Sequence, residues 1–210
     1  MTIIGILFIV LGLGGSGYVA WQLFGDPLMD PAAAKTGINE VKQEWDAQAE
    51  ADDGFASAKE IPGKAIGLLR IPDIDPTFEV PIVYGTDNAA LAKGIGWHED
   101  TAKPGEKGNF VLAGHRGSRG PFVKLPDLMP GAKVEVETRD AVYHYVLDNH
   151  PADLVVQDTD VWILDPVPGK PANTQPTEAK ITLYTCAKLF HAPDRAVAQG
   201  HLVNVQKKKA

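Results

Sequence analysis

The side chain best suited to covalent chemistry in this sequence is that of a single cysteine. Cys186 directly follows the run ITLYT, which is typical of a strand, so its thiol is expected at a strand end. A reactive thiolate needs a partner that lowers its pKa or accepts its proton, and histidine is the usual partner. A lone cysteine is, however, more often a small buried apolar residue. The surroundings of the histidines must therefore decide between a nucleophile and an inert core residue.

The histidines differ in their sequence neighbourhoods. No two lie three or four positions apart and none belongs to an H-E-x-x-H motif, so a helical metal site has no support. His115 follows the strand-like run NFVLAG, as Cys186 follows its own run, and is a candidate partner for the thiol. His191, five residues after the cysteine, is the alternative. The full set is His98, His115, His144, His150, His191 and His201.

The composition limits the class of function. The 210 residues are 44% hydrophobic and 22% charged, which is enough apolar material for a packed core. With 20 Lys and Arg against 27 Asp and Glu, the formal net charge is -7, which disfavours a nucleic-acid partner. One cysteine cannot close an intramolecular disulfide or build a thiolate metal cluster. Nine of the acidic residues but only three lysines lie in residues 26–60.

The N-terminal segment has the pattern of a membrane anchor. No residue from Thr2 to Gly25 is charged, and a helix from Thr2 to Phe24 would be about 35 Å long, against about 30 Å for a hydrocarbon core. A basic start and a small-residue cleavage site are missing, which disfavours a cleaved signal peptide. The acidic flank that follows is not typical of the cytoplasmic side, so we expect the rest of the chain outside the membrane.

The remaining residues divide into a linker and a β-rich domain. Residues 1–25 are expected to be the transmembrane anchor, 26–60 an acidic stalk, 61–206 the globular barrel and 207–210 a basic tail. Within the stalk, a helix over 38–50 would place Ile38, Val41 and Trp45 on one face. That face either lies on the globular domain or belongs to a solvated spacer. The Asp30–Pro31 pair is interpreted as a signal that stops the helix after the predicted span.

Short apolar runs separated by turn residues predict an all-β domain. Together with a brief helix over 88–93 that starts on an Asn88 cap, and a proline-rich loop over 165–177, they indicate a closed or nearly closed eight-stranded β-barrel. The eight predicted strands are 65–70, 78–82, 109–113, 133–137, 142–147, 154–156, 180–184 and 196–205.

Five features occur in order along the chain, namely IGLLRIPDI, PIVYGTD, NFVLAGHR and TLYTC, followed by Arg195 nine residues after the cysteine. This combination resembles the sortase family, which consists of membrane-anchored cysteine transpeptidases of Gram-positive bacteria with an eight-stranded β-barrel. Phe190, Ala192 and the single N-terminal span are similar to the actinobacterial class E enzymes. Ala187–Lys188 departs from the His-Pro pair that usually follows the cysteine in class E.

The resemblance implies a mechanism and a site. Cys186 would attack the carbonyl of a Thr-Gly bond in a sorting signal of the LAxTG or LPxTG type and form a thioester. His115 would act as general acid and base, and Arg195 would stabilise the oxyanion and hold the substrate. No cofactor and no metal are expected. Arg116, beside His115, is expected to be solvated, and His98 to be structural.

The same resemblance implies partners and a location. The substrates would be sorting-signal peptides of secreted surface proteins, and the acceptor would be an amine of a cell-wall precursor. The protein would be a single-pass protein of the cell membrane with an extracytoplasmic catalytic domain. Two alternatives stay open, namely a pilin-polymerising sortase and a non-catalytic anchored binding module with an inert thiol.

Overall fold

The computed structural model describes residues 2–24, 29–47, 63–117, 120–171, 173–188 and 193–208. Three short 3₁₀ helices occupy Leu125–Asp127, Pro151–Asp153 and Val161–Leu164. The helices are α1 (Thr2–Phe24), α2 (Pro31–Ala47) and α3 (Asn88–Leu91). The strands are β1 (Ala65–Arg70), β2 (Val80–Tyr84), β3 (Ile95–Trp97), β4 (Gly108–Ala113), β5 (Lys133–Glu137), β6 (Ala141–Leu147), β7 (Val155–Gln157), β8 (Ala179–Cys186) and β9 (Asp194–Lys207).

The strands form a closed barrel. Neighbouring strands follow the order β6-β5-β1-β2-β3-β4-β8-β9, and β9 pairs with β6 to complete the ring. Of the nine described strands, β7 lies outside this ring, and it pairs with the first residues of β9. Strand β9 can serve both neighbours because it is 14 residues long, with β7 beside its start and β6 beside its remaining length. The predicted eight-stranded barrel is therefore confirmed, but the predicted strand over 154–156 corresponds to β7 outside the ring, and β3 is a member of the ring in its place.

The interior of the barrel is a packed apolar core. Side chains alternate between the two faces of a strand, so every second residue of each strand points inward. On β4 the inward residues are Phe110 and Leu112, and on β8 they are Ile181 and Leu183, all with no exposed surface. The barrel therefore holds its own core and leaves the outer faces of its strands for other contacts.

Strand β3 was not expected from the sequence. Its three residues, Ile95–Trp97, are too short to show an alternating pattern. It pairs parallel with β2, and a Cβ on Gly94 would lie 2.3 Å from the carbonyl oxygen of Pro81, so glycine permits this close approach. The predicted Asn88 cap of α3 was also wrong, because the carboxylate of Asp87 accepts the capping hydrogen bond from the Ala90 N–H at 2.9 Å.

Helix α2 packs against the outside of the barrel. It begins seven residues earlier than predicted, because Pro31 starts the helix and Asp30 accepts a hydrogen bond from the Ala32 N–H at 2.8 Å. Val41 is 1% exposed and packs with residues of β1 and β2, with Ile38 and Trp45 beside it. The alternative in which this face belongs to a solvated spacer is therefore wrong for α2. Residues 48–50 of the predicted helix lie outside the described residues.

A chain of charges continues the contact of α2 with the barrel. The ammonium of Lys42 lies 2.7 Å from the Glu79 carboxylate, and Arg70 bridges Glu79 and Glu137 at 2.5 Å each. Burial alone would raise the pKa of Glu79, but hydrogen bonds from Lys42 and Arg70 outweigh it and lower the pKa. The ammonium of Lys208 then pairs with Glu137 and lies 4.0 Å from the centre of the Trp45 ring. The chain therefore starts and ends on α2.

Helix α1 covers most of the predicted anchor. Taken over the described residues, none of the helices combines the length and the apolar character needed to cross a membrane. The membrane anchor stays a prediction.

Replacing Val41 with alanine tests the docking of α2. The change removes buried methyl groups and should lower the free energy of unfolding of the full chain by about 1–3 kcal/mol, measured by urea denaturation with tryptophan fluorescence. The matched control, Val203→Ala, truncates a valine that is 53% exposed and should change stability by less than about 0.5 kcal/mol. Equal stability of Val41→Ala and wild type would contradict a docked helix.

Candidate active site

The register of two parallel strands places the candidate histidine beside the cysteine. Strand β4 pairs with β8, and the final register pair is Ala113 with Tyr184. His115 and Cys186 each lie two residues beyond this pair, so they sit level at the same edge of the barrel. Cys186 is partly buried and its thiol is reduced, and His115 is also partly buried. The register of the two strands therefore brings the positions of both residues to one edge of the barrel, and their pairing as a catalytic couple stays a prediction.

The neighbouring antiparallel strand adds the arginine. Cys186 pairs directly with Arg195 across β8 and β9, and directly opposed residues of antiparallel strands point to the same face. Because Leu183 and Ala198 point into the core, Cys186 and Arg195 point outward. The site thus lies on the outer surface at a strand end. Cys186 ends β8 and Arg195 lies in β9, whereas His115 follows the end of β4, and these three strands are consecutive in the ring.

A buried threonine connects the two parallel strand ends. The hydroxyl of Thr185 donates a hydrogen bond of 2.7 Å to the carbonyl of Gly114. Thr185 is 1% exposed, so this bond is shielded from water. A Cβ on Gly114 would lie 2.5 Å from the Phe122 ring, which explains glycine immediately before His115. The carbonyl of His115 in turn accepts a hydrogen bond from the Phe122 N–H at 3.1 Å.

Arg195 has a weakly held acidic neighbour. Its guanidinium lies 3.7 Å from the carboxylate of Asp158, which is 47% exposed, and one of its N–H groups donates to the carbonyl of Asp194 at 3.3 Å. An exposed pair of this kind contributes little, because water screens it. The backbone register places Arg195 directly opposite Cys186, and the described contacts of its guanidinium include Asp158 and the Asp194 carbonyl.

A histidine–tyrosine pair lies on the same outer face. Tyr184 is two residues before Cys186, and its hydroxyl shares a hydrogen bond of 2.6 Å with Nε2 of His98. Burial raises the pKa of Tyr184 to about 12, with Arg195 opposing and Cys186 reinforcing the shift. Burial also lowers the pKa of His98, although Glu99 and Asp100 act in the opposite direction. Both side chains are therefore neutral at neutral pH, and the structural role expected for His98 includes a contact with this site.

An apolar surface adjoins the cysteine. Tyr184 belongs to a cluster on the outside of β7, β8 and β9 that the 3₁₀ helix Val161–Leu164 covers in part. The members of this outer cluster are Val156, Ile163 and Val197, with Leu154, Trp162, Leu164 and Tyr184 partly buried against them. Three members of the outer cluster are buried and the other four are partly exposed, on the same outer face of the barrel as Cys186.

The other histidines lie elsewhere. His144 faces Glu135 at 3.4 Å, His201 lies 2.6 Å from the carboxylate of Asp148, and His150 caps the 3₁₀ helix Pro151–Asp153 by accepting from the Ala152 N–H. His191, the alternative partner of the thiol, lies outside the described residues. Within the part of the chain that the structure describes, no three His, Cys, Asp or Glu side chains are grouped as a metal site would require.

Known proteins share this architecture and its motifs. Residues 69–203, more than half of the chain, match the sortase domain. The chain belongs to the sortase family. Among curated sortases, SrtE1 of Streptomyces coelicolor is 33% identical over 208 residues, covering 95% of this chain and 56% of SrtE1. The chain thus spans little more than half the length of that sortase.

Solved sortases have the same fold. Sortase E from Streptomyces avermitilis superposes with a TM-score of 0.61 at 33% identity, covering 70% of this chain and 92% of that chain. Sortase E1 from Streptomyces coelicolor with a tripeptide in the active site gives a TM-score of 0.60 at 31% identity, covering 69% and 91%. The resemblance to the actinobacterial class E sortases is therefore confirmed.

Acidification tests the burial of His98. Because burial depresses its folded-state pKa below the ordinary value of 6.5, the unfolded chain binds the proton first as the pH falls. The contribution of neutral His98 to stability is complete above pH 6.5 and is lost as the pH falls through the folded-state pKa. We expect the free energy of unfolding to fall more for wild type than for His98→Gln between about pH 7.5 and pH 5.5. Parallel curves for the two proteins would contradict this assignment.

Proposed function

We propose that this sortase is a cysteine transpeptidase that cleaves a Thr-Gly bond in a sorting signal and joins the acyl group to a cell-wall amine. Cys186 is the nucleophile, His115 the general acid and base, and Arg195 the group that stabilises the oxyanion and the substrate. The observation that supports the proposal is the register at the common edge of β4, β8 and β9, in which Cys186 is opposite Arg195 and His115 follows the last residue of β4 by two positions. A thiol, an imidazole and a fixed cation are the groups that acyl transfer needs.

The first half-reaction forms a thioester. The thiolate of Cys186 attacks the threonine carbonyl carbon, and the carbonyl oxygen takes up negative charge beside the guanidinium of Arg195. The bond from carbon to the glycine nitrogen then breaks, and protonated His115 donates its proton to the departing amine. The products are an acyl-enzyme on Cys186 and a peptide with a free N-terminal glycine.

The second half-reaction returns the enzyme to its starting state. The acceptor amine attacks the thioester carbonyl while neutral His115 removes one proton from the nitrogen. The carbon–sulfur bond breaks, an amide forms, and Cys186 leaves as the thiolate. His115 is again protonated, so protons and electrons balance over the cycle and no cofactor is required.

The outer cluster supports a peptide substrate. Its apolar side chains lie on the same face as Cys186, so a bound sorting signal can bury its leucine there while its threonine reaches the thiol. The similar sortase E1 from Streptomyces coelicolor has been solved with a tripeptide in its active site, which supports a peptide substrate for this chain. The LAxTG type is favoured over LPxTG, because the chain is similar to class E sortases.

The location of the enzyme is part of the proposal. Residues 1–25 anchor the chain in the cell membrane, and residues 61–206 act outside it on secreted surface proteins. The uncharged run from Thr2 to Gly25 and the acidic flank in residues 26–60 support this arrangement. The docking of α2 on β1 and β2 places part of the acidic segment on the barrel wall.

A peptide assay tests the proposed reaction. The full chain in detergent micelles is incubated with LAxTG or LPxTG peptides and with triglycine as the amine, and the products are identified by mass. We expect cleavage between Thr and Gly and ligation to triglycine, with product below detection for Cys186→Ala. His115→Ala should lose about 10²- to 10⁴-fold in rate, and Arg195→Ala about 10²- to 10³-fold.

Matched substitutions control this assay. His201→Ala and Arg139→Ala remove the same residue types away from the strand edge and should keep wild-type rates. An active Cys186→Ala protein, or wild-type chain that cleaves neither peptide although its thiol is reduced, would overturn the proposal. If a lysine side chain is offered as a second amine and is acylated in preference to triglycine, the result would favour the pilin-polymerising alternative.

A further inference from the structure

The residues that flank His115 bond to the residues that flank Cys186. On one side, the Thr185 hydroxyl donates to the carbonyl of Gly114, as described above. On the other side, a terminal N–H of Arg116 donates to the carbonyl of Ala187. The proposed catalytic pair is therefore enclosed between two hydrogen bonds, one immediately before and one immediately after it.

The peptide after the cysteine is also held from the third strand. The N–H of Ala187 donates to the carbonyl of Asp194 at 2.8 Å. Arg116, Ala187 and Asp194 are the immediate neighbours of His115, Cys186 and Arg195. Hydrogen bonds thus connect the neighbours of all three proposed catalytic residues. Ala187 is in the centre, because its carbonyl bonds to Arg116 and its N–H bonds to Asp194.

The position of this contact gives it mechanical importance. The register of β4 and β8 ends at Ala113 and Tyr184, so His115 and Cys186 lie beyond the paired part of the two strands. A side chain that reaches from the histidine loop to the Ala187 carbonyl extends the connection past the ladder. The expectation that Arg116 is solvated was wrong, because its hydrogen bond to Ala187 is partly buried.

The surroundings of the Arg116 side chain argue against a role that consists mainly of stabilising the fold. Among the described residues, no acceptor lies within hydrogen-bond distance of its buried Nε. Burying a guanidinium N–H without an acceptor is unfavourable, so removing this side chain relieves a cost at the same time as it loses one hydrogen bond. A purely structural role would instead require a net loss of stability on substitution.

We infer that Arg116 is a positioning residue. Through its hydrogen bond to the Ala187 carbonyl, it fixes the backbone that follows Cys186 and so fixes Cys186 relative to His115. The inference rests on the proposed catalytic roles of Cys186 and His115. Arg116 does not contact the reacting atoms in this account. It sets the geometry in which the thiol and the imidazole exchange protons with the substrate, and small errors in such geometry have large effects on rate.

Steady-state kinetics of Arg116→Met test the inference. In the peptide assay, we expect kcat to fall about 10- to 100-fold while KM stays within about twofold, because positioning rather than binding is lost. The urea midpoint should stay at or above the wild-type value. Arg116→Lys, whose ammonium can still donate to the Ala187 carbonyl, should recover part of kcat. Arg139→Met removes an arginine that pairs with Asp140 and should keep the wild-type kcat.

A second measurement does not depend on turnover. Amide hydrogen exchange of Ala187, followed by NMR, should accelerate in Arg116→Met and approach the wild-type rate in Arg116→Lys. Wild-type kcat and Ala187 exchange in Arg116→Met, a loss confined to KM, or a lysine variant no better than methionine would overturn the inference. Failure of the wild-type chain itself to cleave any peptide would count against the proposed function, whereas the exchange data would still test the contact.

Discussion

The parallel register of β4 and β8 is the constraint on which the site depends. Pairing Ala113 with Tyr184 places the residues two positions further along both strands at one level, and these are His115 and Cys186. A slip of one residue would turn the whole outward set of a strand inward, so the buried side chains of both strands fix this register. The core therefore determines where the imidazole and the thiol lie, although neither belongs to the core.

The alternation of side chains separates stability from chemistry. Leu183 points into the closed barrel. Tyr184 and Cys186 are two residues apart on the same strand, so both point to its outer face. The inner face is filled with buried side chains, most of them apolar. The outer face carries the thiol, the guanidinium and an apolar surface, so its residues can be specialised for a peptide at little cost to the barrel.

Local pattern and distant pairing were not equally predictable from the sequence. Apolar alternation and turn residues are local, and strands β1 and β5 have the predicted bounds, 65–70 and 133–137. Strand β3 was missed because three residues carry no period, and its place depends on pairing with β2 and β4, which are distant in sequence. The His98–Tyr184 and Arg116–Ala187 contacts join positions 86 and 71 residues apart, so they follow from the register and not from spacing. The alternation in TLYTC indicates only that Tyr184 and Cys186 share one face of the strand.

The most direct test of the central claim is the intact mass of the full chain after brief reaction with an LAxTG or LPxTG peptide without an amine acceptor. The account predicts a mass increase equal to the acyl part of the peptide through threonine, mapped to Cys186 and removed by hydroxylamine. The same adduct should be absent from Cys186→Ala. Peptide cleavage without this thioester, or an adduct at another residue, would contradict the claim that the joined ends of β4, β8 and β9 form a thiol-based acyl-transfer site.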